Sequence, residues 1–247
     1  MADGMVLADV SRSYRGGAGI RDVHLQVLPG EVHALVGLNG AGKSTLMKVL
    51  LGMLRAQAGS ASIGGVEVDR VPAELWGQVG HFVEAPFAYP EITVSGNLTL
   101  SAALHGVPPR RRKAVVEAVS AEFELTPYAR RRARALSFGN RQRLGLAAAL
   151  QHHPRFIVLD EPTTGLDPAG TILLRERLRG AAAAGAAVLV SSHHLDEVAR
   201  VADRITVMND GRIIGRLDPL TPELEQAFFA VVLHDDETRR RRPEGSR

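Results

Sequence analysis

The sequence contains no cysteine, which excludes a disulfide framework and cysteine-ligated zinc and suits a reducing compartment. Lysine is nearly as scarce, with Lys43, Lys48 and Lys113 the only examples. The pI near 9.7 therefore comes from arginine, and with a net charge of only +3 it reads as compositional bias, so no nucleic-acid partner is expected. Nowhere do the roughly 18 apolar residues of a membrane-crossing helix run together. The most apolar stretch, Ala181 to Val190, is interrupted by Gly185 and reads as a helix end running into a buried strand. The opening Met1-Ala2-Asp3-Gly4-Met5 lacks the apolar core of a signal peptide. The expectation is a cytoplasmic protein that cannot itself form a pore. What is present is ordinary for a globular chain: 247 residues, 45% hydrophobic and 23% charged. That is enough to bury about 70–75% of the unfolded surface and to build one catalytic domain with a subdomain.

The most informative segment is Gly37-Leu38-Asn39-Gly40-Ala41-Gly42-Lys43-Ser44-Thr45. An apolar run, Val32 to Val36, precedes it, and a helix-like stretch, Leu46 to Leu51, follows. Strand, phosphate-binding loop and helix are the implied order. The glycines let backbone N–H groups close around a polyphosphate, Lys43 brings a point charge to its outer phosphates, and the Ser44 hydroxyl is placed to hold Mg²⁺. ATP or GTP is the expected ligand.

Upstream, Val6 to Val10 and Val23 to Val27 alternate like strands, and Pro29-Gly30-Glu31 turns into Val32. A second β-rich patch spans Ala61 to Val68. From about Pro86 to Ala149 the spacing becomes helical, at Leu98 to His105, Arg111 to Glu124 and Arg141 to Leu150. Beyond it, strands (Phe156 to Asp160, Ala187 to Ser191, Arg204 to Met208) alternate with helices (Ala169 to Ala183, Leu195 to Val201), as in a parallel sheet with crossovers. Asp210-Gly211 signals a hairpin. From Pro219 the periodicity fades, and the charge-dense end after His234 reads as a frayed tail. Within it, Phe228 to Leu233 is either an accessory helix or part of a disordered segment.

Two further motifs carry chemistry. The apolar strand Phe156 to Leu159 ends in Asp160-Glu161-Pro162, at the sheet edge where the phosphate loop opens. In phosphoryl chemistry a strand-end acid orients Mg²⁺ and a second carboxylate polarises the attacking water. Asp160 takes the first role and Glu161 the second. Between the loop and this pair lies Leu136-Ser137-Phe138-Gly139-Asn140-Arg141-Gln142-Arg143, with Ser137 as a helix N-cap whose free N–H groups suit an anion.

In order and spacing, Gly37 to Thr45, Leu136 to Arg143, Phe156 to Pro162, Gly165-Leu166-Asp167 and Ser191-Ser192-His193 resemble the ATP-binding subunits of ABC transporters. The resemblance covers about residues 5–216 and leaves 217–247 as a C-terminal extension. It implies an α/β fold of the P-loop NTPase class: a RecA-like parallel-sheet core, an antiparallel β subdomain and a helical signature subdomain near 86–149. It further implies that Tyr14 stacks on adenine and that His193 touches the γ-phosphate and the attacking water. Asp167 would communicate across a dimer, in which Ser137 and Gly139 contact the γ-phosphate held by the opposite subunit. Two ATP molecules would be sandwiched between head-to-tail copies. The permease would be a separate polypeptide, placing this chain at the inner face of the membrane.

Two departures from the family pattern stand out. After Leu136-Ser137 the family usually has Gly-Gly-Gln, and here Phe138-Gly139-Asn140 stands instead; Phe138 is expected to pack in the helical subdomain, away from phosphate. At Glu84, within His81 to Pro90, the family normally has glutamine. A glutamate there, together with the loosened signature, resembles the bacitracin-resistance and lantibiotic-immunity branch of ABC exporters, with daunorubicin-type exporters the nearest competitor. Glu84 is expected to ligate Mg²⁺ and couple hydrolysis to the permease. The implied function is to power export of drugs, antibiotics or lantibiotic-type peptides. The alternative is an ABC-type ATPase of DNA repair or the ribosome, which would usually bring a second nucleotide domain, long coiled coils or zinc-binding cysteines. Arg110 to Lys113 and Arg130 to Arg132 read as solvated helix faces.

Overall fold

The computed structural model describes residues 4–84 and 88–241. Part of the Glu84 to Pro90 stretch, Ala85 to Phe87, and the last six residues of the arginine-rich end therefore lie outside the described residues. Chain order gives β1 (Met5–Ser13), β2 (Gly19–Val27), β3 (Val32–Val36), α1 (Lys43–Leu50), β4 (Ala58–Ile63), β5 (Val66–Glu67), α2 (Ala73–Trp76) and β6 (Val79–Phe82). The helical segment follows as α3 (Val94–Leu104), α4 (Pro109–Glu122) and α5 (Phe138–Leu150). The remainder is β7 (Phe156–Leu159), α6 (Pro168–Ala183), β8 (Ala187–Ser192), α7 (Leu195–Ala199), β9 (Arg204–Asn209), β10 (Arg212–Leu217) and α8 (Leu224–Arg241).

Two sheets result. One is antiparallel, in the order β2-β1-β4-β5. The other runs β10-β9-β3-β8-β7-β6, with every pair parallel except the β9–β10 hairpin at its edge. The central strands are buried on both faces because both are covered, which is why β7 reads as a continuous hydrophobic run and β3 as one broken only by the buried His33, whose Nε2 meets the Thr206 hydroxyl at 2.8 Å. Alternation sorts the side chains. In β8, Ala187 and Leu189 join Leu35, Leu46 and Ile63 beneath the antiparallel sheet and α1. Val188 and Val190 turn the other way, against Leu144 of α5 and Leu174 and Leu178 of α6.

Residues Leu224–Arg241 form one 18-residue helix, α8, which agrees with the accessory-helix alternative for Phe228 to Leu233 and corrects the frayed-tail reading as far as Arg241. Leu224, Phe228 and Val232, spaced i, i+4, i+8, are buried in the core, with Val231 packed beside them, so one stripe anchors the helix while Phe229 and Leu233 stay exposed. Its end is tied to the hairpin: the Asn209 amide donates to Asp235 and Asp236, both at 2.9 Å. Arg239 pairs with Asp210 at 2.6 Å, with Asp235 at 3.1 Å and with Asp236. Within the helix, Arg239 stands four and three residues from Asp235 and Asp236, the spacing at which helical side chains meet.

Candidate active site at the carboxyl edge of the parallel sheet

Because β6, β7, β8 and β3 are neighbours and parallel, the segments that follow them open on one edge, where ligands of such sheets bind. After β3 the chain turns through Gly37–Gly42. Gly42 has φ +103 and caps α1. A Cβ there would lie 2.9 Å from both Ile20 and Met208, and one on Gly37 would lie 2.3 Å from the Met208 carbonyl oxygen, so these positions exclude side chains by packing. Over Gly40, at φ +83, the space is open, and Asn39 beside it is exposed. Ala41 is buried, while Ser44 and Thr45 in the first turn of α1 are half-buried.

Lys43 is buried, and its ammonium group donates to the Gly37 carbonyl at 2.6 Å. It also lies 3.4 Å from Glu161 Oε1. The other oxygen of Glu161 pairs with His193 Nδ1 at 2.7 Å and accepts the His193 backbone N–H at 3.3 Å. One carboxylate thus joins the helix after β3 to the loop after β8. Glu161 holds φ +47, a strained conformation for a residue with a side chain.

Asp160, next to it, is nearly buried and accepts a hydrogen bond of 2.5 Å from the Ser191 hydroxyl. That same oxygen accepts the Glu161 backbone N–H at 2.8 Å. Fully buried at the end of β8, Ser191 therefore fixes the side chain of one acid and the backbone of the other. In the sequence Ser191 is marked only by the pair of hydroxyl residues, Ser191-Ser192, that closes an otherwise apolar strand.

The remaining candidates sit apart from this group. Glu84 is exposed at φ +71, and its carboxylate is engaged by the ammonium group of Lys48, one turn beyond Ser44 on α1. Tyr14, in the turn after β1, is half-exposed with the Arg12 guanidinium 5.5 Å from its ring centre. Ser137 caps α5, accepting the Asn140 N–H at 3.3 Å. Asp167 caps α6 through the Gly170 N–H at 2.8 Å and pairs with Arg143 of α5 at 2.7 Å. The Gly170 amide first, and then Arg143, hold the Asp167 carboxyl below the usual carboxylate range. No hydrogen bond or ion pair among the described residues links Tyr14, Ser137 or Gly139 to the Lys43–Glu161–His193 group. His194 is exposed beside His193, with their ring centres 4.0 Å apart.

Phe138 is a second correction. Its ring is half-exposed and lies on Gly165, in the loop after β7, instead of inside the helical subdomain. The cause is Gly165 itself: its missing side chain leaves a flat seat at the distance where a Cβ would stand.

The half-buried Ser44 hydroxyl and the Asp160 carboxylate are oxygen donors of the kind that suits magnesium. No cluster of three or more His, Cys, Asp or Glu able to hold a metal occurs among the described residues.

Residues 20–164 match the family model described as ABC transporter. The chain is 35% identical to the daunorubicin resistance ATP-binding protein of Streptomyces coeruleorubidus, over 95% of this chain and 75% of that protein. It is 36% identical to the Nod factor export ATP-binding protein I of Rhizobium etli, over 88% of this chain and 69% of that one. The bacitracin transport ATP-binding protein of Bacillus licheniformis is 30% identical over 83% of this chain and 67% of its own length. A solved ATP-binding subunit of an ABC transporter superposes with TM-score 0.85 at 28% identity, covering 92% of this chain and 99% of that one. A dimeric bacterial ABC transporter cassette, at TM-score 0.79 and 22% identity over 88% and 100%, shares the fold. No described helix is long and apolar enough to cross a membrane. The chain belongs to the ABC transporter family, and within it to the ATP-binding subunits that hydrolyse ATP.

Proposed function

We propose that this chain, paired with a second copy and using magnesium, hydrolyses ATP to power export of a drug, an antibiotic or a lantibiotic-type peptide. Export would run through a separate membrane permease, with this chain on the cytoplasmic face. The observation that carries the catalytic part is the bridge from Lys43 through Glu161 to His193. The names of the daunorubicin, Nod factor and bacitracin relatives carry the export part.

In this reading Gly37, Asn39, Gly40, Ala41 and Gly42 wrap the phosphates with backbone N–H groups. Lys43 leaves the Gly37 carbonyl for β- and γ-phosphate oxygens, and Thr45 supports the first turn of α1. Glu161, released from the ammonium group, accepts a hydrogen bond from the attacking water and turns it toward the γ-phosphorus. His193 keeps that carboxylate oriented. Ser44 and Asp160 would hold magnesium, which when bound neutralises charge building on the phosphate oxygens. Glu84, paired with Lys48, would be a further oxygen ligand of the metal, and in this reading it couples hydrolysis to the permease. Tyr14 stacks on adenine. Ser137 and Gly139 meet the γ-phosphate of the opposite subunit, with Asp167 beside that interface. Products are ADP and inorganic phosphate.

The test is phosphate release with fluorescent-ATP binding. Lys43→Ala is expected to lose both. Glu161→Gln should keep binding while hydrolysis falls at least about 100-fold, the scale of a lost general base. Turnover equal to the parent in both variants would contradict the assignment.

A further inference from the structure

Phe138 occupies a place where the family usually carries glycine, and its seat is specific. A Cβ built on Gly165 would lie 2.1 Å from Phe138 Cε1 and 2.4 Å from Cδ1, so the ring rests directly on the backbone of that glycine. A Cβ on Gly139 would lie 2.8 Å from the Gly165 carbonyl oxygen, so the first turn of α5 and the loop after Glu161 approach as closely as backbones allow. The next turn repeats the join. Gln142 Nε2 donates to the Thr164 carbonyl at 2.8 Å, and Arg143 reaches Asp167 at 2.7 Å. The loop 162–167 is therefore fastened to α5 at Thr164, Gly165 and Asp167, and it begins at the strained Glu161.

We propose that Phe138 is a positioning residue that makes the start of α5 follow loop 162–167, coupling the state of Glu161 in one ATP site to Ser137 and Gly139, which serve the other. The proposal rests on the paired-subunit reading given above. The ring acts as a wedge: movement of the loop when Glu161 leaves Lys43 is passed through Gly165 to the helix start. Because Phe138 is 52% exposed, its removal uncovers little core, and a purely structural role would leave only a small mark.

The experiment compares the Glu161→Gln protein with the same protein carrying Phe138→Ala or Phe138→Tyr, by analytical ultracentrifugation against ATP concentration. The corresponding single variants with Glu161 intact are assayed for cooperativity of hydrolysis. Phe138→Ala is expected to weaken ATP-dependent dimerisation about tenfold and to bring the Hill coefficient to about 1. Single-site nucleotide affinity and melting temperature should stay near the parent's, and Phe138→Tyr should restore the parent behaviour. Dimerisation and cooperativity of Phe138→Ala equal to the parent would overturn this proposal alone. A Glu161→Gln protein that stays monomeric at saturating ATP would overturn the paired reading and this proposal with it.

Discussion

Replacing Ser191 by alanine removes one oxygen that serves both acids. That oxygen donates to Asp160 at 2.5 Å and accepts the Glu161 N–H at 2.8 Å from a side chain with no solvent exposure. A hydrogen bond to a charged group contributes about 1.5–3 kcal/mol, and leaving the Glu161 amide unpaired costs roughly 1–3 kcal/mol more. Allowing for overlap, about 3 kcal/mol of stability is at stake, which for a chain of this length lowers Tm by about 6–12 °C. The larger consequence is for turnover, because partners that orient metal-binding carboxylates are worth roughly 10–100-fold in metal affinity or rate. Phosphate release at saturating ATP, measured across a magnesium titration, should show kcat down by about that factor and half-saturation moved to higher magnesium. Nucleotide binding without metal should be unchanged, and Ser191→Thr, which restores the hydroxyl, should recover most of the rate. Ser191→Ala with kcat and magnesium dependence like the parent's would refute the reasoning.

Other consequences follow from the geometry. Glu84→Ala breaks only an exposed pair with Lys48, worth under about 1 kcal/mol, so Tm should hold while ATPase falls about tenfold if the carboxylate reaches the metal; an unchanged rate and unchanged transport would sink that role. Burial, helped by the neighbouring His105, holds His152 at about 3 against an ordinary 6.5. The unfolded chain therefore binds a proton below 6.5 that the folded chain refuses until about 3, and stability falls as pH drops through that window. Between pH 7 and pH 5 the parent should lose about 1–2 kcal/mol more than His152→Phe in denaturant titrations; equal losses would contradict the assignment. Phe228→Ala empties a buried seat under α8 and should cost about 3–5 kcal/mol, read as a drop in Tm, whereas a loosely attached tail would give almost none.

Much of the site is legible in the sequence because its chemistry is local. A strand, a glycine-rich turn and Lys43 must be contiguous for backbone amides to surround a phosphate, and Asp160-Glu161 announces itself as two acids at the end of an apolar strand. The periodicities of α3, α4 and α6 are equally direct, since their buried faces repeat every three to four residues, whereas α5 is buried all round from Gln142 to Leu150. What escapes is whatever depends on a distant partner. Ser191 matters through residues about 30 positions earlier. Lys48 meets Glu84 only because α1 lies beside the loop after β6. The position of Phe138 is decided by a glycine in another loop. For α8 the obstacle is composition: three anchoring residues are outnumbered by charges, and the partners of Arg239 are on the hairpin and on the helix itself.

The most direct measurement is the mass in solution of the Glu161→Gln protein with and without ATP and magnesium, with bound nucleotide counted. The account predicts a monomer without nucleotide and, at saturating ATP, a dimer holding two uncleaved molecules. A protein that binds no nucleotide, or that binds it and remains a monomer, would contradict it.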